Sequence, residues 1–166
     1  MNKVSIIPIM NLPEFDTGHE IVEELIKRLE ENKITLEDND VIVITQKIIS
    51  KVEGRKIDIN KEDIEEVIKS ESLQIIRKRG ETVIAKTKHG FICANAGIDK
   101  SNIEEGSALL LPEDPDKTSR DIRKKIEHKT GKKISVIICD TFGRAWRKDQ
   151  TNVAIGSSGI EPWRAI

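Results

Sequence analysis

Apolar residues come in two spacings along this chain: short β-branched runs, and stretches where they recur every three or four positions. Residues 4–9 form the first apolar run and read as a strand, followed by a turn over Asn11, Leu12, Pro13, Glu14 and Phe15. Ile21, Val22, Leu25, Ile26 and Leu29 then fall on one helical face, with Glu23, Glu24, Lys27 and Arg28 outside. Thr17 and Glu20 have the spacing of a capping box for that helix. After a turn at Asn39-Asp40, residues 41–44 are continuously β-branched, which predicts a strand covered on both faces. The strand feeds straight into Ile48, Ile49 and Val52 at helix spacing, and the segment stops at Glu53-Gly54-Arg55.

Further along, Asn60 is placed to cap a short helix through Lys69, and residues 73–77 and 82–85 predict a hairpin turning at Arg79-Gly80-Glu81. Phe91, Ile92 and Cys93 predict a buried strand, residues 107–111 another, and residues 134–139 a fully apolar one ending at Asp140-Thr141. Between the last two, an acidic, proline-broken loop leads into a basic helix carrying Ile122 and Ile126 and stopped by Gly131. Residues 153–155 predict a last strand, before Gly156-Ser157-Ser158-Gly159. The sum is an α/β protein, mixed α+β, with mixed sheets and flanking helices, without internal repeats or a long linker. The organisation divides into an N-terminal α/β portion, 1–87, and a second α/β portion, 88–166.

Charge narrows the function classes. The 166 residues carry 28 basic and 29 acidic side chains, a net charge of −1, so no global field favours nucleic acid or an anionic membrane. Three Phe, two Trp and no Tyr offer no base-stacking platform. No apolar run approaches the ~20 residues of a membrane span, and the N-terminus lacks a signal-peptide pattern. Cys93 and Cys139, both in apolar runs, read as buried thiols of a reducing compartment. The expectation is a cytoplasmic protein.

The stretch K-H-G-F-I-C-A-N-A-G-I-D-K-S-N, residues 88–102, carries the most chemistry. A strand runs into small residues that let backbone approach a ligand, then into Asp99 and Asn102, whose oxygens and amides an Asx-rich turn can aim. Asp99, Asp140 and Thr141 are hard oxygen donors suited to Mg²⁺ or Mn²⁺. Spacing alone leaves open whether the two acids meet. Lys47 and Lys51, four apart at the carboxyl end of a strand, share one helix side and suit an anion, or are two solvated lysines. Arg144 and Arg147 suit a phosphate or carboxylate clamp, or surface ion pairs. His19 and His128 are expected exposed on helices, and His89 lies next to the strand before Asp99. No Cys/His zinc set, Ser-His-Asp set, P-loop or G-x-G-x-x-G is present.

Five motifs in this order, Q-K-I-I-S-K-V-E-G-R (46–55), A-N-A-G-I-D-K-S-N (94–102), L-P-E-D-P-D (111–116), D-T-F-G-R-A-W-R (140–147) and A-I-G (154–156), resemble the coenzyme F-420 gamma-glutamyl ligase family. The likeness runs from Leu12 to Gly159 and covers the N-terminal two-thirds of that fold. It implies a ligase in which GTP phosphorylates the lactyl-phosphate carboxylate of a deazaflavin coenzyme precursor. The amine of L-glutamate then attacks the acyl phosphate, and later rounds extend a gamma-glutamyl tail. It implies Asp99, Asp140 and Thr141 as metal ligands for Mg²⁺ or Mn²⁺, with K⁺ beside them. Asn102, the segment Leu12, Pro13, Glu14 and Phe15, and the side chains Gln46, Lys47 and Lys51 are implied as GTP contacts. No protein nucleophile is implied. Partners implied are the deazaflavin precursor, L-glutamate and GTP, in a homodimer, with neither nucleic acid nor membrane.

Departures accompany the likeness. The region between Arg55 and Leu73 is short, Ala145 stands where Pro is frequent, and Asp149 where Gly is frequent. The family continues past the position of Ile166 with a glycine-containing phosphate segment and another metal ligand, so the chain reads as C-terminally truncated. The alternative expectation is a non-catalytic, truncated nucleotide- or partner-binding paralogue.

Overall fold

The computed structural model describes residues 3–101, 103–143 and 148–161. Its mixed α/β architecture agrees with the fold class expected from sequence. Strand β1 (Val41–Thr45) lies parallel to β7 (Ser135–Gly143), and β8 (Gln150–Ser158) returns antiparallel to β7, in the order β1-β7-β8. A two-stranded sheet joins β2 (Lys56–Asp58) to β6 (Ser107–Leu109). A meander of β3 (Ser72–Arg79), β4 (Thr82–Thr87) and β5 (Ile92–Ala94) makes the third sheet. Each sheet takes strands from both sides of residue 87.

The main core forms where helices α1 (Ile21–Glu31), α2 (Gln46–Val52) and α4 (Pro115–Thr130) cover one face of the first sheet. Val22 and Leu25 meet Ile42, Ile44, Val136 and Ile138 from the strands and Ile122 and Ile126 from α4. Burial of such side chains contributes ~1.5–3 kcal/mol each. The expected stripe of α1 is buried at Ile21, Val22, Leu25 and Leu29, with Ile26 at its margin. Helix α4 is bounded as its sequence dictates: Asp114 accepts from the Lys117 N–H at 2.8 Å, Pro115 opens the first turn, and Gly131 closes it at φ +70°. A smaller core under the meander joins Ile68 of α3 (Ile64–Ser70) to Val83, Ala85 and Ala96.

Several local expectations are corrected. Residues 4–9 form no strand: Val4 and Ile6 are 87% and 94% exposed, and a β-branched run without a ladder partner gains nothing from extension. Thr17 is not a helix cap. Glu20 occupies that position without a side-chain bond, and the Thr17 hydroxyl instead donates to the Lys51 carbonyl. β1 is covered on one face only, since Val41 and Val43 are exposed; a parallel pairing does not guarantee a second layer. Asp63, not Asn60, caps α3, accepting from the Glu65 N–H at 2.9 Å, while Asn60 belongs to the turn after β2. β5 buries Cys93 but exposes Ile92. His19 precedes α1 and lies outside any helix, bonded to the Asp16 N–H.

The largest correction concerns the second half. β7 does not end at Asp140 but continues through Gly143, and β8 begins at Gln150 rather than Val153. Polar residues persist in both strands because they pair with each other, Thr141 with Asn152 and Phe142 with Thr151. Asp149, just before β8, adopts φ +64°, a left-handed conformation that glycine takes without steric cost.

Candidate functional site

Three chain segments converge at the carboxyl ends of β1 and β7. The parallel register sets Thr45 beside Cys139, so Gln46-Lys47, which leave the sheet into α2, start next to Asp140-Thr141, which run on within β7. The third segment is the turn after β5. Asn95, Ala96 and Gly97 take φ values of +49°, +54° and +76°, three left-handed residues in succession. The Asn95 side chain holds the turn by accepting from the Val83 N–H at 2.9 Å. A side chain at Gly97 would meet Leu111 Cδ1 at 2.8 Å, so only glycine lets the turn sit this close to the core. Beyond it Asp99 is pinned to Leu109 by two backbone hydrogen bonds, of 2.9 and 2.8 Å.

Asp99 is a crowded carboxylate. Its Oδ1 accepts from the Ser101 N–H and the Ser101 hydroxyl, each at 2.7 Å, and its Oδ2 lies 3.0 Å from Lys47 Nζ. Burial alone would raise its pKa, but the bonds from Ser101 and Lys47 outweigh burial and hold the group below the usual carboxylate range. Asp140 behaves oppositely. Burial raises it, the Asp99 charge raises it further, and the Thr141 N–H at 2.8 Å and the Lys47 charge offset this only in part. Asp99 is in direct contact with Lys47, and the charges of both act on Asp140. Thr141 is exposed beside them, its hydroxyl donating to the Asn152 side-chain oxygen. Cys93 is pushed up to about 11 by burial and then by the Asp140 charge, so it stays a protonated, unreactive thiol. Cys139 is raised for the same reasons and is likewise free.

Two carboxylates and two neutral side-chain oxygens are matched to a hard divalent cation. Among the described residues no three His, Cys, Asp or Glu side chains gather as a metal set, so protein carboxylate would supply only part of a coordination sphere. Mg²⁺ commonly keeps waters and takes phosphate oxygens alongside one or two carboxylates.

Of the described residues expected to contact nucleotide, Gln46, Lys47 and Lys51 belong to α2. Lys51 pairs with Glu14, which ties the segment of Leu12, Pro13, Glu14 and Phe15 to α2. Phe15 anchors that segment in the core, Leu12 is half-buried, and Pro13 and Glu14 are exposed. Gln46 is fully buried: its Oε1 accepts from the Ser50 hydroxyl at 2.8 Å, while its Nε2 has no partner among the described residues. An unpaired buried amide donor beside a ligand-facing helix start is a costly feature that a bound acceptor would relieve. Asn102, Arg144, Ala145 and Arg147 lie outside the described residues.

His89 has its Nε2 3.1 Å from the Glu113 carbonyl and its ring stacked on Phe91. Two members were missed in the sequence, Ser101 and Asn152. The D-x-S spacing was the available signal for Ser101, since a serine two residues after an aspartate commonly folds back onto its carboxylate. Asn152 has no local signal; it faces Thr141 only because β7 and β8 pair in that register. Two clefts are present among the described residues, the larger bordered by Leu12, Phe15 and Thr45. One, near Lys56 and Glu104, is polar and open, and the other, of about 950 Å³, is an apolar cleft between residues 3–9, α1 and β1.

A sequence model of the family described as F420-0:Gamma-glutamyl ligase matches residues 9–166. The protein named Coenzyme F420:L-glutamate ligase from Methanothermobacter thermautotrophicus is 36% identical over 96% of this chain and 70% of its own length. The protein of that name from Methanocaldococcus jannaschii is 42% identical over 95% of this chain and 68% of its own length. One from Methanococcus maripaludis is 42% identical over 75% of this chain and 57% of its own length.

Proposed function

We propose a function from the premise that this chain belongs to the F420-0:gamma-glutamyl ligase family. It is a ligase that joins L-glutamate to the carboxylate of a deazaflavin coenzyme precursor. GTP gives its γ-phosphoryl group to that carboxylate. The glutamate amine then attacks the acyl carbon, the C–O bond to phosphate breaks, the amine proton leaves to solvent, and amide, GDP and inorganic phosphate result. Repetition through the gamma-carboxylate extends the tail.

The carrying observation is that Lys47 and Asp99, far apart in sequence, form an ion pair whose charges act on Asp140, where β7 runs past the end of β1. Phosphoryl transfer between a carboxylate and a triphosphate is opposed by charge, so the protein's task is neutralisation and alignment. Asp99, Asp140 and Thr141 would hold Mg²⁺ or Mn²⁺, which supplies charge neutralisation between the phosphates. Lys47 and Lys51 supply ammonium groups along the triphosphate, and residues 12–15 lie beside it, with Asn102 as a further contact and K⁺ alongside. The exposed Val4, Ile6, Ile7, Val41 and Val43 support self-association into a homodimer. Among the described residues no helix is long and apolar enough to cross a membrane.

The test is GDP release from GTP with Mg²⁺ or Mn²⁺, with and without L-glutamate and the precursor. Release that requires both acceptors, and is abolished by Asp140→Ala, is the expected result. Metal-dependent GTP binding without turnover would instead identify a non-catalytic nucleotide-binding member.

A further inference from the structure

We propose that Ser101 is a positioning residue for Asp99, and that the Lys47 ammonium is an exchangeable cation resting on the carboxylate oxygen that a divalent ion would take. The inference rests on the metal reading above. It follows from the donor inventory around one serine. Ser101 gives Asp99 Oδ1 two hydrogen bonds, from its N–H and its hydroxyl, both 2.7 Å long. Its Oγ and carbonyl oxygen accept from Lys47 Nζ at 2.7 and 2.9 Å. The third Lys47 donor faces Asp99 Oδ2 at 3.0 Å. An ammonium has three protons, and all three are used.

Two consequences follow. Oδ1 is committed to Ser101, which fixes the carboxylate plane and presents Oδ2 as the outward oxygen. Ligand carboxylates held in this way bind metal more tightly than free ones. Lys47, fully satisfied, has no proton left for a phosphate and must leave Asp99 to make such a contact. Lys51 is likewise paired with a carboxylate, that of Glu14, through one of its three protons. Each lysine assigned to the triphosphate is therefore neutralised by a carboxylate in the ligand-free chain. Loading is an exchange, in which ammonium groups pass to phosphate as the divalent ion replaces Lys47 at Oδ2. Until then Lys47 screens the Asp99–Asp140 repulsion.

The experiment is titration of Mn²⁺ alone into the full chain, without nucleotide, followed by loss of the free-ion paramagnetic resonance signal. Ser101 is exposed, so its replacement disturbs no core, and circular dichroism checks the fold. Ser101→Ala is expected to weaken Mn²⁺ binding about 10- to 100-fold, the usual effect of losing an outer partner of a metal ligand. Ser101→Thr, which keeps the hydroxyl, restores it. Lys47→Met is expected to tighten Mn²⁺ binding about fivefold, the size of one like-charge repulsion over a few ångströms in high dielectric. Wild-type affinity in Ser101→Ala, alongside loss in Asp140→Ala, would overturn the role of Ser101 and leave the metal site standing. Weaker Mn²⁺ binding in Lys47→Met would overturn the exchange. Absence of Mn²⁺ binding to the unmodified chain would overturn both this inference and the metal reading.

Discussion

Gly97→Ala is the sharpest probe of how the fold delivers Asp99 to the site. Gly97 has φ +76°, and an added methyl would lie 2.8 Å from Leu111 Cδ1, 2.9 Å from Cγ and 3.2 Å from Cδ2. Two costs therefore combine. Holding an L-residue in the left-handed region costs about 1–2 kcal/mol. Forcing a methyl against Leu111, itself buried in the main core, costs about 1–3 kcal/mol more. The lower chain entropy of unfolded alanine returns about 0.4–1 kcal/mol. The expected net loss is about 1–5 kcal/mol, a large part of the ~5–15 kcal/mol that stabilises a typical domain. Gly131→Ala is the internal control: its φ is +70°, with nothing within 4 Å of the added methyl, so it carries the backbone cost alone. Urea unfolding of the two variants separates strain from contact. Leu111→Ala in the Gly97→Ala background should recover about 1–3 kcal/mol of coupling. Equal losses for Gly97→Ala and Gly131→Ala would refute the claim that close packing on Leu111 sets the position of the turn.

Arg55→Met tests a buried junction. Arg55 donates to Glu71 at 2.6 Å and to the Leu111 carbonyl at 3.0 Å, joining the end of α2 to the end of α3. Leaving buried Glu71 with only Lys88 at 3.3 Å should cost about 3–5 kcal/mol in urea unfolding, and a loss below about 1 kcal/mol would contradict it. Asp140→Asn should raise the melting temperature at pH 7 while abolishing Mn²⁺ binding. The folded state holds this carboxyl above its ordinary range, so its ionised form is disfavoured in the fold, and the variant's advantage over wild type should shrink as pH falls from neutral and the wild-type carboxyl protonates. Asp99→Asn should show the opposite sign. Its carboxyl is depressed on folding, so its contribution is present above the unfolded value, near pH 4, and is lost as pH falls through the folded value; below about pH 4 the wild-type advantage over Asp99→Asn should disappear from thermal melts.

Periodicity read the scaffold well where a side chain's burial depends on its own element. The face of α1, the limits of α4 and the β3–β4 hairpin all follow from local spacing and from Gly80 and Gly131. It failed where a distant partner decides. Residues 4–9 have strand composition but no ladder. Val41 and Val43 have core composition but lie on the open face of β1. The reverse error occurred in β7 and β8, where polar Thr141, Thr151 and Asn152 read as loop yet are held in strands by one another.

The candidate site is where these two kinds of information meet. Asp140 and Lys47 were legible because each follows an apolar run, and a parallel register of Thr45 on Cys139 turns that sequence coincidence into adjacency. Asp99 arrives by a different route. Nothing periodic brings it to β7; it is carried by three left-handed residues and locked by an antiparallel bridge to Leu109. The turn's cost in backbone strain has a functional counterpart. A relaxed extension of β5 would carry Asp99 onward along the strand, away from Lys47. The Asp99–Asp140 repulsion adds a second destabilising element at the same place, with Lys47 as its partial offset. On the proposed metal role, strain and like charge at one point suit an incoming cation, because binding would relieve the second without disturbing the first. Stability gained on adding Mn²⁺ should therefore be lost in Asp99→Ala and Asp140→Ala alike. It should be retained in Gly131→Ala, which shares the backbone strain but lies at the end of α4.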